Sequence, residues 1–183
     1  MPTPNDLPVI RIAKSVVSRY LPAALVLVSY GISLLVFLWL YVQFSASEPI
    51  ENFLNWNAQA TGLLATILKI NAYVSGNVVT SGPLALEITP ECTSLPYLTI
   101  LFAGIVAFPS TIFQKLWGAL IGCVALSLLN LVRTSTLLLI GLWFPSALDS
   151  AHIFIWQAIM IVAAITIWVL WWRKIGKREG LQP

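Results

Sequence analysis

Four long apolar runs constrain the fold of this chain more than any other feature of its sequence. They cover residues 20–42, 94–112, 116–143 and 152–172, and each is close to the roughly 20 residues that a helix needs to cross the hydrocarbon core of a bilayer. Hydrophobic residues make up 58% of the chain and charged residues 9%, which excludes an ordinary soluble domain with a polar surface. The sequence therefore predicts an all-α polytopic membrane protein with about four transmembrane helices.

Basic residues flank the outermost runs and indicate the orientation of the chain. Three of them lie in segment 1–19 and four more in segment 173–183. Because lysine and arginine are enriched on the cytoplasmic side of membranes, both segments are predicted to be cytoplasmic. The chain is then one membrane-embedded domain over residues 1–183, with segment 43–93 on the outer side.

The outer segment is predicted to contain two kinds of structure. Residues 53–73 mix apolar side chains with asparagine, glutamine and lysine, which favours an amphipathic helix at the outer face and leaves a fifth span as the alternative. From residue 74 to residue 88, β-branched residues alternate with Gly76-Asn77 and Ser81-Gly82-Pro83. This pattern is typical of short extended pieces joined by turns, and it predicts a hairpin-like segment before Cys92.

Cys92 is the first candidate for chemistry. It lies where the outer segment enters an apolar run, so helix N-terminal amides are expected to stabilise a thiolate there, and the thiolate is the useful nucleophile. The structural alternative is a small buried residue. Cys123 lies inside an apolar run, where packing is the favoured interpretation. Both cysteines are predicted to be free thiols.

Arg133 is the second candidate because it lies deep in an apolar run, where a charged residue costs about 2.5–3.5 kcal/mol on insertion scales. Helical spacing places Ser127, Asn130 and either Arg133 or Thr134 along one polar stripe that faces other helices. A purely structural arginine would need a buried carboxylate, and no predicted span contains an acidic residue. The remaining acidic partners lie at the outer edge, namely Glu87, Glu91 and Asp149.

His152, the only histidine, opens the last run at the same predicted outer boundary. An imidazole there can exchange a proton near neutral pH, although a lone histidine at a helix start is also commonly structural. Together the three residues suit acyl transfer: Cys92 attacks a peptide carbonyl, His152 moves the proton, and Arg133 stabilises the oxyanion or the thiolate. Arg133 as a substrate-orienting group is an open alternative.

In the order Cys92, Asn130-Leu131-Val132-Arg133 and His152, the chain resembles the exosortase/archaeosortase family of prokaryotic membrane cysteine transpeptidases. The resemblance covers roughly residues 74–172 and is to a compact subtype of the kind designated H. Family members commonly carry glycine shortly after the cysteine, where this chain has Thr93-Ser94. The resemblance implies catalytic roles for Cys92, Arg133 and His152, with Asn130 in support.

It further implies a protein of the prokaryotic cell (inner) membrane whose active site faces outward. Its partners would be membrane lipid and secreted proteins with a C-terminal sorting signal, made of a motif, a transmembrane helix and a basic tail. No cofactor, metal or nucleic acid is predicted, because thioester chemistry requires none of them. A non-enzymatic scaffold that binds a partner helix through Arg133 and Asn130 is the alternative. A solute carrier is disfavoured because the chain has no inverted repeat.

Overall fold

The computed structural model describes the backbone of residues 8–179 and the side chains of residues 21–175. The ends of the two predicted cytoplasmic segments, 1–7 and 180–183, lie outside the described residues. In chain order the elements are α1 (Pro8–Phe44), α2 (Glu48–Ile67), β1 (Tyr73–Ser75), β2 (Val78–Ser81), β3 (Leu84–Glu87), α3 (Leu95–Ala107), α4 (Ile112–Trp143), α5 (Leu148–Ser150) and α6 (Gln157–Glu179). Short helical turns cover Pro90–Cys92 and Pro145–Ala147, and a π-helical segment covers Ala151–Trp156.

Within the described part of the chain, three helical stretches are long and apolar enough to cross a membrane. They are Leu21–Phe44, Ile112–Trp143 and Pro145–Ile175, with 24, 32 and 31 residues. At a rise of 1.5 Å per residue, each exceeds the roughly 30 Å of a hydrocarbon core. The prediction of an all-α polytopic membrane protein is confirmed.

Helix α3 is shorter than predicted. It has 13 residues, Leu95–Ala107, and so measures about 20 Å, less than the thickness of a hydrocarbon core. The predicted helix 94–112 ends early because Phe108 is extended, with φ −80° and ψ 132°, and precedes Pro109, a position that disfavours helical backbone. α3 is enclosed by α1, α4 and α6. The core around it comprises Tyr97, Leu98, Leu101, Ile105, Leu126, Met160 and Ala164.

Helix α2 is amphipathic, as predicted, and it packs against α4. One face is buried, and its members lie at helical spacing: Leu54, Ala58, Thr61, Gly62 and Ala65. The helix ends at Ile67 rather than at residue 73, because Lys69 takes a left-handed conformation with φ 59° and the Ile70 amide donates to the Ala65 carbonyl at 2.8 Å. This is a common way to close a last helical turn. Among the described residues, α2 is not one of the helices with the length and apolarity of a span.

The predicted hairpin segment is a three-stranded antiparallel sheet in the order β1-β2-β3. Gly76 and Gly82 begin the two-residue links between strands and have φ +59° and +54°, a conformation that glycine adopts at little cost. The sheet packs on α2 and α4, where buried apolar residues form a second core: Leu54, Ala58, Ala65, Val79, Ile88 and Leu138. The sheet therefore fixes the strand that leads into Cys92.

Candidate active site

Cys92 lies at the end of a tight turn between β3 and α3. Thr89 is extended, with φ −94° and ψ 167°, and Pro90 opens the turn with the φ that its ring imposes. The Cys92 amide donates to the Thr89 carbonyl at 2.9 Å, and the Thr93 amide donates to the Pro90 carbonyl at 3.2 Å. Helix α3 begins only at Leu95. The amides of residues 92 and 93 are used within the turn, and the Leu95 amide donates to the Thr93 hydroxyl at 3.2 Å; stabilisation of a Cys92 thiolate by helix N-terminal amides stays a prediction.

His152 is brought to Cys92 from a distant part of the chain. Its Nε2 lies 3.5 Å from Cys92 Sγ, across a sequence separation of 60 residues. The histidine belongs to the π-helical segment Ala151–Trp156, and such one-turn segments are frequent at functional sites. Both side chains are half-buried. The geometry suits proton exchange between a thiol and an imidazole, which needs direct or near-direct contact.

The pair opens into a cavity of about 260 Å³. One part of its wall is aliphatic and another carries exposed carboxylates. Besides Cys92 and His152, the lining residues are Leu86, Glu87, Ile88, Thr89, Thr134, Leu137, Leu148 and Asp149. The Thr89 hydroxyl also donates to Cys92 Sγ at 3.5 Å. The sulfur is thus flanked by a hydroxyl from its own turn and an imidazole from the segment before α6.

Arg133 lies behind this cavity rather than in its wall. It is 2% exposed, its Nη1 donates to the Tyr97 hydroxyl at 3.2 Å, and its Cζ lies 5.8 Å from the centroid of the Tyr97 ring. Its Nε has no hydrogen-bond partner among the described residues. Arg133 is therefore a buried cation that hydrogen-bonds Tyr97.

Asn130 lies one helical turn before Arg133 and is fully buried. Its Nδ2 donates to Asn57 Oδ1 at 3.4 Å, and one turn further along both helices the hydroxyls of Thr61 and Thr134 are 2.8 Å apart. These two contacts join α2 to the stretch of α4 that carries Arg133. The predicted polar stripe therefore faces other helices, with Asn130 and Thr134 toward α2 and Arg133 toward α3, and the predicted supporting role of Asn130 remains a prediction.

Two of the acidic residues near the site, Glu87 and Glu91, have hydrogen-bond partners other than Arg133. Glu91 Oε1 accepts a hydrogen bond of 3.3 Å from the Tyr41 hydroxyl. The backbone N–H of Glu91 and the hydroxyls of Thr89 and Tyr41 hold the pKa of this carboxyl below its usual range, against the opposing effect of burial. Glu87 Oε1 accepts from Asn77 at 3.4 Å. None of the three candidate carboxylates forms an ion pair with Arg133 within the described residues.

Sequence reasoning missed Tyr97, Tyr41 and Thr89 as residues near the reacting groups. Tyr97 follows Cys92 by five residues in a mainly apolar run, and a hydroxyl in such a run was the available indication. Tyr41 lies near the end of the first apolar run, where a tyrosine commonly anchors a helix at the membrane interface. Both cysteines are free, as predicted. The described residues contain no group of three or more His, Cys, Asp or Glu side chains that could hold a metal ion.

The fold and this geometry define a polytopic membrane protein with a cysteine–histidine pair in a pocket formed by a small sheet and the ends of membrane-length helices. The sequence matches the family model described as transmembrane exosortase over residues 15–169. The chain belongs to the transmembrane exosortase family. No curated protein and no solved structure matches it.

Proposed function

We propose that this protein is a membrane-embedded cysteine protease and transpeptidase that cleaves C-terminal sorting signals of secreted proteins through a thioester on Cys92. The observation that carries the proposal is the 3.5 Å contact between Cys92 Sγ and His152 Nε2 inside an open cavity. Membership of the exosortase family gives the same general class, a membrane-embedded processing protein.

In the proposed reaction, His152 accepts the proton of the Cys92 thiol and the sulfur attacks the scissile carbonyl of the substrate. The tetrahedral intermediate collapses as the carbon–nitrogen bond breaks, and the imidazolium of His152 gives its proton to the departing amine. An incoming amine or water then attacks the thioester, and His152 takes the proton of that nucleophile. The Cys92 sulfur leaves as the carbon–sulfur bond breaks and receives this proton from His152. The cycle returns both side chains to their starting states without a cofactor.

Charge stabilisation in this scheme comes from side chains. The amides of residues 92 and 93 are occupied within the turn, so they are unavailable to an oxyanion in this conformation. The Thr89 hydroxyl contacts the sulfur and can stabilise the thiolate. Arg133 supplies a buried positive charge, and such a charge has a stronger and longer-ranged effect in a low-dielectric interior than in water.

The proposed substrate is a secreted protein with a short C-terminal motif, a transmembrane helix and a basic tail. Its helix would lie beside those of the protein in the prokaryotic inner membrane, with its motif at Cys92 on the outer side. An impermeant thiol reagent on intact spheroplasts tests this orientation. Labelling that disappears in Cys92→Ala supports an outward site. Labelling that requires membrane disruption would place Cys92 inside and contradict the proposal.

Processing in cells tests the chemistry directly. A secreted protein with such a C-terminus, taken from the same genome, is co-expressed with wild type, Cys92→Ala and the matched control Cys123→Ala. We expect the shortened product with wild type and Cys123→Ala, and only the full-length protein with Cys92→Ala. Normal processing by a well-expressed Cys92→Ala variant would overturn the proposal.

The scaffold alternative receives no support from the geometry. Asn130 is 0% exposed and Arg133 is 2% exposed, and each is engaged within the protein by Asn57 and Tyr97. A partner helix would have to displace these contacts before it could bind the polar stripe. Unchanged function of Cys92→Ser would favour the scaffold nevertheless.

A further inference from the structure

Strand β3 (Leu84–Glu87) is an edge strand with one unpaired side. The sheet order is β1-β2-β3, so β2 covers one edge of β3 and no strand of the described chain covers the other. The edge of a sheet presents backbone N–H and C=O groups that can pair with another extended chain. The unpaired side of β3 can therefore accept a further strand.

The register identifies the backbone groups at the free edge. The Ile88 amide donates to the Asn77 carbonyl at 2.8 Å, and Leu86 lies opposite Val79. In an antiparallel pair, residues that point their N–H and C=O groups toward the neighbouring strand alternate with residues that point them away. Leu86 and Ile88 therefore face β2, whereas Ala85 and Glu87 direct their backbone N–H and C=O groups to the free edge.

This free edge borders the cavity that contains Cys92. Four consecutive residues, 86–89, line the cavity. Side chains of successive residues in an extended chain point to opposite faces. Because all four of these residues line the cavity, the cavity extends along the edge of the strand and is not confined to one face of the sheet. The extended backbone continues through Thr89 and enters the turn of Cys92. A second strand on this edge would therefore lead into the Cys–His pair.

We propose that the recognition segment of the substrate binds as an added β-strand on the free edge of β3, with its scissile carbonyl delivered to Cys92. This inference rests on the proposed function, because it takes a peptide as the substrate. The occupant is an extended peptide, since the reaction at Cys92 requires a peptide carbonyl and an extended backbone offers the N–H and C=O groups that the edge leaves unpaired.

The cavity also sets a side-chain preference for the added strand. Leu86, Leu137 and Leu148 form its aliphatic wall, and Leu137 is only 3% exposed. Alternate side chains of an added strand point to one face, so one side chain beside the scissile bond would reach this wall. An aliphatic residue fits there best, because burying apolar surface is favourable and burying an unpartnered charge is costly.

The edge can be tested by removing one backbone N–H without changing the reacting groups. Ala85→Pro deletes an N–H that points to the free edge, and proline is tolerated in edge strands at such positions. Ala85→Val is the matched control, because it keeps the N–H and also alters an exposed side chain. The probes are N-acetyl-Val-Ala-Leu chloromethyl ketone, a peptide that alkylates thiols, and iodoacetamide, which has no peptide backbone to pair. The readout is the rate of Cys92 alkylation in the purified full-length protein.

We expect Ala85→Pro to slow alkylation by the peptide probe about three- to tenfold, the effect of losing one backbone hydrogen bond. Alkylation by iodoacetamide should stay unchanged, which shows that the thiol and the fold are intact. Ala85→Val should react with the peptide probe about three- to tenfold faster than Ala85→Pro, because both variants change the side chain and only proline removes the N–H. A probe methylated on single backbone nitrogens should lose reactivity at alternate positions, because only every second N–H faces the protein in an added strand.

Equal rates of Ala85→Pro and Ala85→Val with the peptide probe, or equal sensitivity to methylation at every position, would overturn the added strand. Processing of the co-expressed substrate by Cys92→Ala would overturn the proposed function instead. The two failures are therefore distinguishable, since the first leaves Cys92-dependent processing in place.

Discussion

The guanidinium of Arg133 is held by the hydroxyl of Tyr97, at 3.2 Å from Nη1, in a position where the arginine is 2% exposed. The ring of Tyr97 is itself buried, at 5% exposed, and its centroid lies 5.8 Å from Arg133 Cζ. Tyr97 lies on α3, only five residues after Cys92. The helix that follows Cys92 therefore also contacts the buried cation.

Tyr97→Phe tests this relationship. The substitution keeps the ring but removes the hydroxyl, which leaves Nη1 of Arg133 without its partner. Loss of a buried hydrogen bond to a charged group costs about 1.5–3 kcal/mol. We expect Cys92-dependent processing to fall at least tenfold while the protein remains folded. Processing is measured with the co-expressed substrate, and Tyr73→Phe is a control because Tyr73 is 73% exposed. Equal processing by both variants would show that Tyr97 does not position Arg133 for the reaction.

The rate of processing should fall as the pH is lowered from neutral to acid. A protonated imidazole at His152 no longer accepts the proton of Cys92, and a protonated sulfur is a poor nucleophile. The measurement is the initial rate of alkylation of Cys92 by the peptide probe across this pH range. His152→Ala is the comparison. Its plot of alkylation rate against pH should lack the decrease that protonation of the imidazole causes in wild type. A flat profile for wild type would contradict a proton-accepting histidine.

The hydrogen bonds that the Glu91 carboxyl accepts, from its own backbone N–H, from Thr89 and from Tyr41, should weaken in acid. The folded pKa of the Glu91 carboxyl is lowered, so its contribution to stability is present above the ordinary glutamate pKa of about 4.3 and is lost as the pH falls through the lower folded value. The thermal midpoint of Glu91→Gln should therefore lie below that of wild type at neutral pH and approach it in acid. A difference in thermal midpoint that grows toward acid would contradict a stabilising carboxylate at Glu91.

The hydroxyl contact between Thr61 and Thr134 should stabilise the packing of α2 on α4. Thr61→Val and Thr134→Val are each expected to lower the free energy of unfolding by about 0.5–1.5 kcal/mol. Because the two hydroxyls lie 2.8 Å apart, the double variant should cost less than the sum of the single ones. Denaturant unfolding in detergent measures all four proteins. Strictly additive effects would show that the hydroxyls stabilise the fold independently.

The sequence predicted the class of fold well because membrane-spanning helices are determined by local composition. Each apolar run must satisfy its own backbone in lipid, and a helix does so without tertiary partners. The turns at Gly76 and Gly82 were predictable for a similar reason, since a positive φ depends mainly on the residue type at a single position. The end of α3 was missed although Pro109 marks it, because an apolar pattern that continues to residue 112 outweighed one turn signal.

The candidate site was predicted in its residue types and not in its geometry. Cys92 and His152 were placed at one boundary from topology alone, and the structure brings them into contact. The backbone amides of Cys92 and Thr93 are used inside a turn, and α3 begins only at Leu95, details of backbone geometry that the sequence pattern did not give. The partner of Arg133 was expected among the carboxylates and is Tyr97. A single hydroxyl in an apolar run belongs to no sequence pattern from which its hydrogen-bond partner could be predicted.

By itself, then, the sequence determined that the chain folds as membrane-length helices with a short sheet between them and which residues carry reactive groups. These properties follow from the transfer of apolar segments into lipid and from the chemistry of single side chains. Only the tertiary structure decided three features. They are the contact between Cys92 and His152, which are 60 residues apart in sequence, the burial of Arg133 against Tyr97, and the position of the free edge of β3 beside the cavity. Such contacts join distant segments, and they are fixed by the packing of α3, α4 and the sheet rather than by any local pattern.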